Sequence, residues 1–204
     1  MGLFQRPAGK EIGEMAKDHG EERWEQGSSA LFQRRKERRD ADRKRRQAGR
    51  KFIKAEDVKL QWEEENGVWI GGLVSQDLGF DNRVIEVDCH IYPAHSHSCT
   101  HRHNEAIIIV LRGEGYSVLD GERIEWGPGD TLYVGQGVWH QHHVTSDEPA
   151  MVVAIKPLPL QEYLGEMNIV YKGDKPSTVA KFSVASFKEE FAKINGSTKL
   201  TTNG

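Results

Sequence analysis

The sequence predicts an all-β domain, a closed barrel or a two-sheet sandwich, with a charged helical extension before it and a short helix after it. Three observations predict it. From about Phe52 onward, apolar residues recur at every second position in short runs, which is the period of a half-buried strand. Turn residues separate those runs at short, even intervals. Seven of the nine histidines fall between His95 and Val144, inside this same patterned region.

At 204 residues the chain is long enough for one well-buried domain with extensions and too short for two full-sized ones. The expected partition is a charged, mainly helical segment over 1–54, a β-barrel over 55–160, and a C-terminal extension over 161–204 with a short helix and a loose tail. The formal net charge of −3 hides a polarised distribution. Up to Lys54 there are 16 Lys and Arg against 9 Asp and Glu, whereas the remainder holds 12 against 22. No apolar run approaches the roughly 20 residues of a membrane span, and the first thirty residues contain no signal-peptide core. A soluble, cytoplasmic protein without a membrane partner is therefore expected. Cys89 and Cys99 are read as thiols, because two cysteines at this spacing form neither a zinc ribbon nor a disulfide framework.

The elements follow in order. A helix around Glu11 to Trp24 is expected from Ile12, Met15 and His19 on one face. From Ser29 to Lys51 the charge-dense run has neither Pro nor Gly until Gly49, which suits a helix entered through Ser28 or Ser29 as N-cap. Without aromatic interleaving it reads as a solvated or protein-contact helix and not as a nucleic-acid arm. Strands are predicted near Val68 to Val74, Arg83 to Tyr92, Ala106 to Leu111, Tyr116 to Leu119, Glu122 to Trp126, Thr131 to Val134, His140 to Val144 and Met151 to Lys156. Asp120-Gly121 predicts a two-residue hairpin turn and Gly127-Pro-Gly-Asp130 a tight corner. After Pro157 and Pro159 the pattern fades. Ser186 and Glu189 then form a capping box before the apolar stripe Val184, Phe187, Phe191 and Ile194.

In a strand, residues two apart face the same side. His101 and His103 can therefore share an inward face, and so can His140 and His142. Two neighbouring strands of this kind can converge on one ion. Neutral imidazole suits iron, copper, nickel or zinc, and three such ligands leave positions for substrate and for water or dioxygen. A lone histidine is as often a satisfied core or surface residue. The spacing His-x-His, then Trp-His-x-His 36 residues on, is much harder to obtain that way.

On these residues the chain resembles the cupin superfamily, whose motifs are G-x5-H-x-H-x3-4-E-x6-G and G-x5-P-x-G-x2-H-x3-N. His101-Arg-His103 with Gly113 matches the first, and Gly129 through Gly135-Gln-Gly137 to His140 matches the second. The resemblance covers roughly Gln61 to Pro159. It implies a cupin jelly-roll barrel, a double-stranded β-helix, with His101, His103 and His140 as metal ligands. Ile107 stands where the family's glutamate ligand falls at one spacing, Gly135 replaces the proline and Val144 the asparagine. Glu105 lies one or two residues early for the glutamate, which leaves it a fourth ligand, a partner of a ligand, or an outward charge.

Three histidines, an apolar strand over Ile107 to Leu111 and the turn Gly113-Glu-Gly115 are similar to gentisate-type ring-cleaving dioxygenases. That likeness implies Fe(II), a small hydroxylated aromatic substrate (a hydroxy-aromatic acid, catechol or aminophenol) and dioxygen. Gentisate enzymes carry two cupin domains and this chain has one, and cupins are commonly homodimers. The alternatives are a metal-dependent isomerase, lyase or decarboxylase using Mn, Ni or Zn, and a small-ligand sensor. His142, on the face of His140, is expected either to exchange a proton with a bound phenol or to support a ligand. Arg83 is the expected clamp for a substrate carboxylate, because Arg102 alternates with the ligands and points away. Trp126, Tyr133 and Trp139 can pack a ring or fill the core. His95 and His97 offer a second metal site.

Overall fold

The computed structural model describes residues 29–166, 168–173, 184 and 186–197. Two compact units, Met1–Ala48 and Gly49–Gly204, divide the chain. The expected helix at Glu11 to Trp24 and the tail beyond residue 197 lie outside the described residues.

In the first unit, helix α1 spans Ala30–Ala48 and buries none of its side chains. Asp40 pairs with Arg43, and Asp42 with Arg45 and Arg46, at helical spacings. Such exposed pairs stabilise weakly. Arg45 and Arg46 also sit in the last turn, where positive charge complements the helix dipole. Among the described residues, no helix is long and apolar enough to cross a membrane.

The second unit is a jelly-roll sandwich. Its strands are β1 (Leu60–Glu63), β2 (Val68–Val74), β3 (Glu86–Tyr92), β4 (Thr100–Arg102), β5 (Ala106–Arg112), β6 (Gly115–Leu119), β7 (Glu122–Trp126), β8 (Thr131–Val134), β9 (His140–Val144), β10 (Ala150–Lys156) and β11 (Val170–Lys172), with helices α2 (Leu158–Leu164) and α3 (Phe187–Ser197). One sheet runs β1-β2-β3-β10-β5-β8 and the other β11-β4-β9-β6-β7. Every pairing is antiparallel.

Alternation along the strands decides what each face buries. Between the sheets lie Val68, Tyr92, Val110, Trp126, Leu132, Val144 and Val152. The other parity of β3 and β10, with Cys89, Ile91 and Met151, packs outward on Val58 and on Phe187 of α3. Covered on both faces, β10 reads as the nearly continuous apolar run Ala150-Met-Val-Val-Ala-Ile. Burial pushes the Cys89 thiol up to about 12, so it is an inert core group.

Local sequence explains the turns. Asp120 and Gly121 both take positive φ, as the predicted hairpin needs. Asp120 then accepts the Trp139 N–H at 3.0 Å and donates its own N–H to the Trp139 carbonyl at 2.8 Å, which holds the start of β9. Gly115 permits a close approach, since a Cβ there would lie 2.0 Å from the His143 carbonyl oxygen and 2.6 Å from the Trp126 ring.

Three short strands and one helix were not predicted. β4 has only three residues, so no periodicity can announce it. Helix α2 begins at the prolines that suggested a break, but proline is tolerated in a first turn, whose N–H groups have no intrahelical partner. Val170–Lys172 also joins the sheets of the second unit, because β11 pairs with β4 at its edge.

Candidate metal centre

His101 and His140 face each other across β4 and β9 as directly paired residues. His103, just past the end of β4, completes the group. The three ligand nitrogens lie within 4.8 Å of one another. Each ring is oriented by its own backbone: the Nδ1 atoms of His101 and His140 lie 2.8 Å from the Cys99 and Val138 carbonyls, and His103 Nδ1 meets the Asn104 carbonyl. A carbonyl only accepts, so each Nδ1 carries the proton and each Nε2 presents a lone pair. The lone pairs of His103 and His140 confront each other at 3.2 Å. This arrangement is repulsive by itself and is relieved by a cation, so the donor set fits a divalent metal.

The electrostatics agree with the geometry. Burial, partly opposed by the Cys99 carbonyl, lowers His101 to about 4. Burial and the neighbouring His101 lower His140 to about 3, against the Val138 carbonyl. His103 is lowered by burial as well. All three imidazoles are therefore neutral at pH 7, the protonation state a metal ligand needs.

His142 shares the inward face of β9 but belongs to a different hydrogen-bond set. Its Nδ1 lies 2.7 Å from Ser117 Oγ, which also receives the Trp126 indole N–H at 3.0 Å. Ser117 is fully buried. Its hydroxyl proton is satisfied by His142 Nδ1, which leaves His142 with its own proton on Nε2. Burial first, then the nearby His140, depresses its pKa well below the usual value. We expect His142→Ala to keep most of its metal and lose most of its turnover. Metal content and steady-state rate measured on one preparation check this, and metal loss equal to that of His140→Ala would instead make His142 a ligand.

His101, His103 and His142 border a cavity of about 320 Å³. Its walls also include Ile70, Tyr92, Ile108, Leu158 and Tyr171, an apolar and aromatic lining suited to a planar ring. Lys156 is the cation of this wall, 2.6 Å from Asp88. Arg83 is not brought there. It lies in the loop before β3, half-exposed, beside Asp81 at 3.7 Å, and we assign it no role at the centre.

Other expected residues are sorted by the same geometry. Glu105 stays outside the three-histidine group and accepts the exposed Tyr133 hydroxyl at 2.8 Å. Trp126 is core, and Trp139 lies between Arg102 and Lys172 in cation–π contacts. None of the three expected aromatics lines the histidine cavity; Tyr92 and Tyr171 take that place. His95 pairs with Asp147 at 2.8 Å while His97 bridges to His143, so the suggested second metal site is split apart. Cys99 is buried against the Thr100 carbonyl. The sequence reading missed His90, Tyr92 and Lys156. Their parity on β3 and β10 was available as a signal, but no motif marked them.

Residues 88–156 match the family model described as Cupin domain. A gentisate 1,2-dioxygenase from Ralstonia sp is 34% identical over 67 residues, covering 32% of this chain and 19% of that protein. A 5-aminosalicylate 1,2-dioxygenase from Comamonas sp is 33% identical over 69 residues, 33% of this chain and 18% of that protein. The chain thus matches about a fifth of the length of these relatives. Among solved structures, a salicylate 1,2-dioxygenase from Pseudaminobacter salicylatoxidans aligns with TM-score 0.49 at 21% identity, covering 53% of this chain and 31% of its own. A polyketide cyclase from Streptomyces resistomycificus aligns with TM-score 0.48 at 19% identity, over 56% and 93%.

Proposed function

The chain carries a cupin domain over residues 88–156, and from that premise we propose that it is a mononuclear non-haem Fe(II)-dependent dioxygenase that opens the ring of a hydroxylated aromatic compound. The observation that carries the reading is the set of three neutral, backbone-oriented imidazoles, two of which, His101 and His103, also line an aromatic-walled cavity. The gentisate and aminosalicylate enzymes that resemble it support the substrate class.

In this reading His101, His103 and His140 hold the metal. When bound, Fe(II) would supply a shared site at which the substrate's oxygens and dioxygen meet. Tyr92, Ile108 and Tyr171 flank the ring and exclude water from it. His142 donates from Nε2–H to an anionic oxygen of the bound phenolate, held in that tautomer by Ser117. A neutral donor in a buried wall stabilises developing negative charge without the cost of burying a second cation. Lys156, balanced by Asp88, supplies positive potential toward an aromatic carboxylate.

The test is oxygen uptake. Protein purified anaerobically and reloaded with Fe(II) is expected to consume dioxygen with at least one hydroxybenzoate, catechol or aminophenol and to release a ring-opened acid, read by an oxygen electrode and product mass. Turnover of another substrate class under argon, without uptake across the panel, would move the assignment to the isomerase, lyase or decarboxylase reading.

The same proposal includes a cytoplasmic homodimer in which the basic α1 segment contacts protein and not nucleic acid. The polarised charge motivates it, since a +7 segment attached to a −10 remainder finds acidic surface on its own kind. Deleting residues 1–50 is expected to weaken the dimer or lower thermal stability while the metal site still loads. Light scattering and metal analysis check this. Salt-dependent DNA binding lost on deletion, with stability and oligomeric state unchanged, would overturn it.

A further inference from the structure

The metal group leaves part of the cavity's polar wall unexplained. Asn66 Oδ1, Gln161 Oε1 and His90 Nε2 are buried without a hydrogen-bond partner among the described residues, and all three residues line the cavity. They arrive from separate elements: Asn66 from the β1–β2 turn, His90 from β3 and Gln161 from α2. Buried polar atoms are nearly always paired, so several unpaired ones around one cavity point to a ligand that pairs them.

The chemistry of that ligand follows from the two amides. Asn66 and Tyr171 line the same wall, and Oδ1 is the Asn66 side-chain atom left buried without a partner among the described residues. Its turn is rigid, because the Glu63 carboxylate accepts the backbone N–H groups of Glu65 and Asn66 at 3.1 and 2.7 Å. Gln161 is fixed on α2 through its N–H to the Pro157 carbonyl at 3.1 Å. A carbonyl oxygen accepts and never donates. The complement to such a pair is an uncharged donor, a hydroxyl or an amine, and a carboxylate in the same place would be repelled by both dipoles.

Building on the aromatic-substrate reading above, we infer that Asn66 and Gln161 form a specificity subsite that selects a ring bearing a hydroxyl or amine substituent over the same ring without it. A site whose buried acceptors expect a donor rejects the analogue that lacks one, because the acceptors then stay desolvated and unpaired. Neither residue belongs to the histidine group, so the subsite sets which ring is held and not whether metal is bound.

Calorimetric binding to the Zn(II)-loaded protein tests this without turnover. The probes are 2-hydroxybenzoate, its 3-, 4- and 5-hydroxy derivatives, and its 5-amino derivative. At least one donor-bearing probe is expected to bind about tenfold more tightly than 2-hydroxybenzoate. Gln161→Met and Asn66→Leu are each expected to bring that ratio close to one, with zinc content unchanged. Gln161 is half-buried on a short surface helix, so its replacement keeps the test valid if Asn66→Leu disturbs the turn. A wild-type ratio of one, or a ratio that survives both substitutions, overturns the subsite alone. Failure of every probe to bind overturns the aromatic-substrate reading and the subsite with it.

Discussion

His101→Ala, His103→Ala and His140→Ala are each expected to reduce bound metal from one ion per chain to nearly none and to abolish oxygen uptake. Each ring supplies one of three lone pairs, and its removal leaves two donors that no longer enclose the ion. Metal analysis of the three purified variants checks this, and wild-type stoichiometry in all of them would defeat the assignment. Protonation acts in the same direction. The folded-state pKa values of His101 and His140, about 4 and about 3, lie below the 6.5 of an exposed imidazole. In the metal-free protein the unfolded chain therefore binds the extra protons first. The stability these rings contribute is complete above pH 6.5 and is lost as the pH falls toward 4 and 3. Thermal unfolding of metal-free protein between pH 7 and pH 4 should show that decline.

Arg112→Met is expected to destabilise the second unit by about 3–5 kcal/mol. Arg112 is 4% exposed, and its guanidinium gives N–H groups to the Glu190 carboxylate at 2.8 Å, the Glu190 carbonyl at 3.0 Å and the Pro149 carbonyl at 3.2 Å. A β-bulge makes this possible. Val152 pairs with Val110 while Met151 pairs with Arg112, so the skipped Leu111 turns Arg112 to the outer face, against α3. Removing the arginine leaves a buried carboxylate with Lys193 as its remaining ion-pair partner. The double variant Arg112→Met/Glu190→Met should lie closer to wild type than the single one, because no uncompensated charge remains. Burial works against ionisation of Glu190, but the hydrogen bonds from Lys193 and Arg112 outweigh it and hold the pKa below 4.5. The contribution of the pair is thus present above pH 4.5 and disappears on further acidification. Chemical denaturation of the three proteins at pH 7 and pH 4 measures both effects.

Sequence alone determined the parts of this molecule that follow from periodicity and local turn chemistry. Strands β2, β7, β8 and β9 start and stop where alternation and turn residues place them. The Asp120-Gly121 hairpin and the Ser186 cap, whose Oγ accepts the Glu189 N–H at 3.2 Å, were equally legible. The three-histidine group was legible through the resemblance of His101-Arg-His103 and His140 to the cupin motifs, since alternation by itself offered His142 equally. Tertiary structure decided what depends on neighbours remote in the chain. The three-residue β4 exists because it is clamped between β9 and β11, and the Met151/Arg112 bulge reverses the parity that the strand pattern implies. Tertiary structure also made Lys156 and not Arg83 the cation of the cavity, and it brought Asn66, His90 and Gln161 from three elements to the same wall. Spacing within a strand is fixed by covalent geometry and can be read from a sequence. Which side chains meet across a cavity is set by how two twisted sheets and a helix pack, and no local pattern records that.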